Sequence, residues 1–396
     1  MISRHAPRST RATARWSFWV AFTVLAWIHV LYPVLLVVRA SMRPQPVGTG
    51  DRLPPLTVIV AAHNEQRVIA AKLENLRRLD YPPDRLELIV VSDGSTDQTE
   101  AIVEQAAGPI RLLRLPWSGK AAAVEAGARA ARGEILVFTD ANSMLRPDAL
   151  RALARPFTDV TVGGVAGDQR YTAAAVAGDS RGERGYWRLD RSLKRAESAA
   201  GSVVGATGAI YAIRRKLFRA IPAGVNDDYY LSAGVVHQGY RLVFAADAIA
   251  EEPVAADLGR EFGRKIRVMS RAFRTELALC GLLDPRRHGF YSVQMLSHKI
   301  LRRAGVIPLA VLLVSSVAAW QQGPFYRISA TGQTAVYALG LLGLGGRVSH
   351  PVFSLPAYFV ASNAAGAVAL FNLLRRRRVE RWTHERTVPR PPQRDP

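Results

Sequence analysis

The stretch Leu88-Ile89-Val90-Val91-Ser92-Asp93-Gly94-Ser95-Thr96-Asp97 is an apolar, β-branched run that ends on a carboxylate and passes at once into turn chemistry. Such a run reads as a buried strand, and Gly94-Ser95-Thr96-Asp97 reads as a turn ending in a helix N-cap. Working outward, similar runs recur at Leu56 to Val60, Ile110 to Leu115 and Ile135 to Phe138. Helical patterns lie between and before them, at Val68 to Leu79, Thr96 to Ala107 and Ala121 to Ala131. Strands alternating with helices predict βαβ units, an α/β fold and a mainly parallel sheet flanked by helices. Asp140 follows the run Ile135 to Thr139 as Asp93 follows its own, and a third acidic point stands at Asp227-Asp228. The carboxyl ends of parallel strands are where open α/β sheets bind ligands.

The 396 residues suffice for one catalytic core with apolar helices at both ends. Trp16 to Val38 is long enough to cross a hydrocarbon core of about 20 residues. It lacks a small-residue cleavage site and reads as an anchor, with Tyr32-Pro33 as a kink point. Beyond Arg303, Ala304 to Trp320 and Val352 to Leu374 read as further spans, and Thr334 to Gly346 as a short, Gly-rich piece. Further helix and strand candidates are Gly182 to Ala199, Gly208 to Ile213 and Asp228 to Gln238, and Leu258 to Leu283 reads as a basic amphipathic segment along the membrane surface. The resulting division is a basic N-terminus (1–15), a transmembrane helix (16–38), a linker (39–55) and a catalytic domain (56–256). Interfacial helices (257–303), a C-terminal transmembrane region of two or three segments (304–374) and a basic tail (375–396) follow.

A net charge of +21 allows nucleic acid, anionic lipid or an acidic substrate as partner. The arginines cluster beside apolar spans, and neither zinc-finger spacing nor an RNA-binding aromatic signature is present, so membrane lipid is expected and nucleic acid is not. The single cysteine, Cys280, excludes an intramolecular disulfide and a cysteine-only zinc site. The eight histidines show no metal-binding pattern. Gly119-Lys120-Ala121 lacks the spacing of a P-loop.

Ala61-Ala62-His63-Asn64-Glu65, Ser92 to Asp97, Gly119-Lys120-Ala121-Ala122-Ala123, Thr139-Asp140-Ala141-Asn142 and Asp227-Asp228-x-x-Leu231 occur in one order. In that order they resemble the motifs of family-2 glycosyltransferases, inverting enzymes of the GT-A fold. The closer likeness is to the membrane branch that makes cellulose, chitin, hyaluronan and poly-N-acetylglucosamine. The resemblance runs from about Leu53 to Leu283 and extends loosely to Trp382-Thr383.

It implies an NDP-sugar donor, with UDP expected, held by Asp93 at the base, Glu65 at the ribose or base, and Lys120 at phosphate or base. Asp140 would bind Mg²⁺ or Mn²⁺; Asn142, where the family has a second Asp, offers only a neutral carbonyl. Asp228 is the implied general base, with Asp227 supporting it. Arg264-Lys265-Ile266-Arg267-Val268 resembles a Q-[QR]-x-R-W motif, so Arg267 would meet the diphosphate, while Val268 stands where an acceptor-stacking Trp is expected. Gly205 to Arg215 resembles an acceptor-side segment. The implied acceptor is a growing polysaccharide or a lipid-linked glycan. Addition of one sugar to a lipid carrier, or a nucleotide-sugar-binding regulator without catalysis, are the alternatives. Nucleotide sugars are cytoplasmic, so the resemblance implies an integral protein of a bacterial inner membrane with its catalytic domain inside. Charge does not fix the number of C-terminal spans.

Overall fold

The computed structural model describes residues 8–106, 108–172, 181–253, 258–345 and 350–377. The outer parts of the basic N-terminus and basic tail, Trp382-Thr383 included, lie outside the described residues.

The first helical stretch is continuous: α1 (Arg8–Ala26), a π-helical turn (Trp27–Leu31) and α2 (Tyr32–Met42). Pro33 has no N–H to give, and the Tyr32 N–H reaches back to the Trp27 carbonyl, so the expected kink takes the form of a π-turn.

The chain then alternates β1 (Leu56–Ala62), α3 (Ile69–Arg77), β2 (Leu86–Asp93), α4 (Thr99–Gln105), β3 (Ile110–Leu115), α5 (Lys120–Ala130) and β4 (Ile135–Phe138). After these come β5 (Met144–Leu145), α6 (Ala149–Ala154), β6 (Val162–Thr172), α7 (Arg181–Ala199), β7 (Tyr211–Arg214), α8 (Asp227–His237) and β8 (Arg241–Pro253). One eight-stranded sheet has the order β3-β2-β1-β4-β7-β6-β8-β5.

The parallel half formed as the apolar runs predict. β1 is buried along its whole length, and its residues alternate between two cores. Val58, Val60 and Ala62 face Ile69, Leu73 and Leu153 on one side. Ile59 and Ala61 face Val124, Ala128 and Val235 on the other. That period of two makes a three-layer α/β/α unit.

The sheet is mainly parallel, as the runs predict, and becomes mixed beyond β4. β1–β2, β2–β3, β1–β4 and β6–β8 are parallel, whereas β4–β7, β6–β7 and β5–β8 are antiparallel. The chain leaves β4 through the Asp140 loop and returns as β7 in the opposite direction, with Phe138 opposite Tyr211 and their rings stacked at 4.9 Å. The strand expected at Gly208 to Ile213 therefore begins three residues later, because Gly208 to Ile210 forms a turn.

The rest is helical: α9 (Leu258–Ala278), α10 (Pro285–His288), α11 (Phe290–Gln294), α12 (Val306–Ala318), α13 (Pro324–Leu344) and α14 (Pro351–Leu374). The amphipathic segment expected to Leu283 ends as a helix at Ala278 and closes with a 3₁₀ turn, Cys280–Leu283. The piece read as short at Thr334 is the second half of the 21-residue α13, which starts after Gly323 with Pro324 at its first turn. Among the described residues, Arg11–Met42 and Val352–Leu374 are long and apolar enough to cross a membrane. Phe290–Leu301 with Val306–Ala318 would add a span broken by a 64° bend.

Several contacts tie the first helices to the rest, among them those of Phe18 and Tyr32. Phe18 is fully buried, with its ring 5.7 Å from Phe325 and 4.8 Å from Tyr326. Tyr32 donates to Glu197 of α7 at 3.0 Å, and His298 Nδ1 donates to the same oxygen at 2.6 Å.

Candidate active site

The order 3-2-1-4 places a topological switch between β1 and β4, and the loops after β1, β2 and β4 open on one crevice. Asp93 closes β2 and is fully buried. Its carboxylate accepts from the Ser118 N–H at 2.7 Å and from the Gly119 N–H at 2.9 Å. It thereby fixes the loop that starts α5. Gly94 follows with φ +61°, and a Cβ there would lie 2.6 Å from the Trp117 nitrogen, so only glycine lets β2 leave the sheet against this loop.

The β1 loop is laced to the β2 loop. Asn64 Oδ1 accepts from Thr96 N at 2.8 Å, the Glu65 N–H donates to Thr99 Oγ1 at 2.8 Å, and the His63 ring donates to the Asp93 carbonyl at 2.7 Å. Glu65 itself is buried, at 2% exposure. Asp97 accepts from Thr99 N at 3.0 Å and forms an Asx turn just before the helix, with Gln98 at the cap position itself.

Lys120 is the first residue of α5, following Gly119 at φ +92°. Its ammonium lies 2.9 Å from Asp140 Oδ1 and 3.3 Å from Asp227 Oδ2. The nearby carboxylates hold it charged against the cost of burial. Four residues expected from separate motifs, Lys120, Asp140, Asp227 and Asp228, thus form one cluster. Asp227 and Asp228 open α8, where the helix dipole favours anions. Burial outweighs that preference for Asp228: together with the Asp227 charge it lifts the carboxyl to about 6, against the pull of Lys120. Tyr211 lies in the same field; burial and then Asp227, Asp228 and Asp140 push its phenol well above its ordinary value.

Gly208 roofs the cluster. A Cβ on it would lie 3.1 Å from Asp140 Oδ2 and 3.4 Å from Lys120 Nζ. The Thr207 and Tyr211 hydroxyls beside it are buried without a hydrogen-bond partner among the described residues.

The donors of the Asp140 loop decide which metal site it can form. Among the described residues, no group of three or more His, Cys, Asp or Glu side chains could hold a metal. The loop supplies one carboxylate, from Asp140, and one amide oxygen two residues on, from Asn142. That set does not fit a cage made by protein alone. It does fit Mg²⁺ or Mn²⁺ shared with phosphate oxygens, where one or two carboxylates suffice.

Arg267 lies on α9. The next residue, Val268, accepts from Asn226 Nδ2 at 3.2 Å, and Thr275 Oγ1 accepts from the Asn226 N–H at 3.0 Å. The turn of α9 that carries Arg267 is thereby pinned to the residue preceding Asp227.

Sequence reading missed three contributors. Tyr211 and Gly208 lie in a segment read only as acceptor-side. Lys72 was not singled out, yet it is fully buried and donates to Thr139 Oγ1 at 2.9 Å and to the Ser143 carbonyl. Its signal was available: Ile69, Lys72, Leu73 and Leu76 share one helix face, and three of the four are apolar.

An α/β sheet with carboxylates at a switch point and an acidic pair opening a nearby helix is a GT-A-like arrangement. Residues 57–221 match the family model Glycosyl transferase family 2. The chain is similar to the beta-monoglucosyldiacylglycerol synthase of Synechocystis sp., 27% identical over 48% of this chain and 41% of that protein. It is also similar to N-acetylglucosaminyltransferases of Mesorhizobium japonicum, 25% identical over 69% of each chain, and of Rhizobium meliloti, 28% identical over 76% of each. The match thus spans less than half of the Synechocystis protein. The fold is shared with the mannosyltransferase PcManGT from Pyrobaculum calidifontis, solved in complex with GDP-Man and Mn²⁺. The TM-score is 0.71 at 23% identity, over 93% of this chain and 99% of that one.

Proposed function

We propose that this protein is a membrane-anchored, inverting glycosyltransferase that moves a sugar from a nucleoside diphosphate sugar to a hydroxyl of a growing polysaccharide or a lipid-linked glycan. The observation that carries this reading is the Lys120 bridge, 2.9 Å to Asp140 and 3.3 Å to Asp227, which joins a phosphate-side loop to an acidic helix start. In this reading residues 56–256 are the catalytic unit, and residues 257–303 lie along the inner membrane surface with the catalytic domain cytoplasmic.

In this reading Asp93 and Glu65, both buried, shape the nucleoside pocket from behind its wall, and Lys120 and Arg267 face the diphosphate. Asp140, with the Asn142 amide oxygen, would hold a Mg²⁺ or Mn²⁺ whose charge offsets that gathering on the leaving diphosphate. Asp228 takes the proton of the acceptor hydroxyl as its oxygen bonds to the anomeric carbon on the face opposite the departing phosphate oxygen. A positioned base of this kind contributes roughly 10²–10⁴-fold. Asp227 holds Lys120, and its charge adds to burial in lifting the Asp228 carboxyl to about 6. UDP is the first donor to test. GDP is the second, because the archaeal enzyme of the same fold was solved with GDP-Man.

A second reading, transfer of one sugar to a lipid, is favoured by Val268 at the expected Trp position and by the similarity to a beta-monoglucosyldiacylglycerol synthase. One experiment separates the two. Full-length protein in detergent is given radiolabelled UDP- and GDP-sugars, Mg²⁺ or Mn²⁺ and membrane lipid, and the products are sized. A ladder supports polymerisation, and a single lipid-soluble product supports the second reading. Nucleotide-sugar binding without transfer or hydrolysis across the donor panel would reject both.

A further inference from the structure

Lys72 occupies a core position of α3, between Ile69 and Leu76, and has no exposed surface. Burying an ammonium is costly unless it is fully bonded, and an apolar side chain of similar volume would satisfy the helix face. What only a multiple donor satisfies is the loop above it. Lys72 Nζ donates to Thr139 Oγ1 at 2.9 Å and to the carbonyl of Ser143. These two residues are the ends of Thr139-Asp140-Ala141-Asn142-Ser143.

Each anchor is itself held. Thr139 Oγ1 donates to the Ala209 carbonyl at 2.7 Å, next to the Gly208 roof over Asp140. The Ser143 hydroxyl donates to Glu252, which also accepts from Gln169 Nε2 at 2.6 Å. The loop carrying Asp140 and Asn142 is therefore clamped from beneath by one lysine, while a second, Lys120, meets Asp140 directly.

We infer that Lys72 is a positioning residue that bridges both ends of the Asp140–Asn142 loop and so sets the affinity of that loop for a divalent cation shared with a nucleoside diphosphate. The inference rests on the proposed metal role of Asp140. Lys72 touches no substrate. An Asp140 that exchanges Lys120 for a cation keeps its backbone fixed through Lys72. Groups that orient a metal ligand from behind typically change affinity by about 10- to 100-fold when removed.

The test uses the full-length protein in detergent, with Mn²⁺ and either UDP or GDP. Bound Mn²⁺ is read from the loss of the free-ion electron paramagnetic resonance signal, and folding from the thermal melting midpoint. Lys72→Met is expected to weaken Mn²⁺ binding at least about tenfold and to lower the midpoint while the protein stays folded, because the buried Ser143 carbonyl loses its Lys72 donor. Thr139→Val, which removes one anchor and keeps Lys72, is expected to act in the same direction and carries the test if Lys72→Met does not fold. Unchanged Mn²⁺ affinity in a folded variant, or binding lost only in proportion to the unfolded fraction, overturns the role of Lys72. Failure of the wild-type protein to bind Mn²⁺ with either nucleotide overturns the metal reading of Asp140 and this inference with it. Normal wild-type binding with unaffected variants overturns the inference alone.

Discussion

Lys120 Nζ stands 3.3 Å from Asp227 Oδ2, and this ion pair links the first turn of α5 to the first turn of α8, the helix that carries the proposed base. Lys120→Met leaves Asp140 and Asp227 facing each other without a counter-ion. Breaking a fully buried pair costs about 3–5 kcal/mol; these side chains keep some exposure, so a loss of about 1–3 kcal/mol in unfolding free energy is expected. Transfer should fall by about 100-fold or more, since the lost charge faces developing negative charge. Lys120→Arg should not restore it, because a planar guanidinium cannot replace a point charge between two carboxylates. Denaturant melts and steady-state rates check both.

Asp228→Asn should lower kcat by roughly 10²–10⁴-fold and leave nucleotide binding within a fewfold. Titration of the donor by calorimetry separates the two effects. Undiminished transfer would remove Asp228 from the base role.

The pH profile follows from the same carboxyl. Asp228 acts as a base only when ionised, and its value is lifted to about 6, so kcat/KM should fall as pH drops through about 6 and level off above it. Asp227→Asn removes a charge that raises this value, so the acid limb should move to lower pH. Lys120→Met removes the cation that lowers it, and the limb should move to higher pH. Profiles of the three proteins read the signs directly, and identical limbs would contradict the assignment.

Gly208→Val should abolish transfer with little loss of stability. Its Cβ would already lie 3.1 Å from Asp140 Oδ2, and the branched methyls would extend over the Asp140–Lys120 pair. Activity and melting midpoint, measured on one preparation, distinguish a blocked site from a disturbed fold.

Asp93→Asn exchanges a carboxylate for an amide beneath two backbone donors, Ser118 N and Gly119 N. One amide oxygen can still accept, but the NH₂ group opposes the other N–H. A loss of about 1–3 kcal/mol is expected, together with a raised donor KM as the Lys120 turn loosens. Denaturant titration and donor kinetics test this.

The parallel half of the sheet was legible because its strands are continuous apolar runs buried on both faces, and a carboxylate at the end of such a run has few other readings. β7 gave no such signal. Only Tyr211 to Arg214 pairs, and a four-residue strand does not announce its direction. α13 was read short because Thr331, Gln333 and Thr334 dilute its apolar pattern, although Pro324 marks its start. At the site, types and order were readable, and pairing was not. Nothing in the sequence says that Lys120 lies between Asp140 and Asp227, because that depends on how α5 and α8 pack on one face of the sheet. Lys72 was readable in principle, as a cation on an otherwise apolar helix face.

The ring cluster that buries Phe18 against Phe325 and Tyr326 sets an order of assembly. In chain order, α1 is separated from its aromatic partners on α13 by the whole eight-stranded sheet. Without those partners, Phe18 and Trp19 have no rings from α13 to pack on, and Trp19 stacks on Phe325 at 5.5 Å. The packing of Phe18 and Trp19 on the α13 rings is therefore a late contact in chain order, made only after the whole sheet can form.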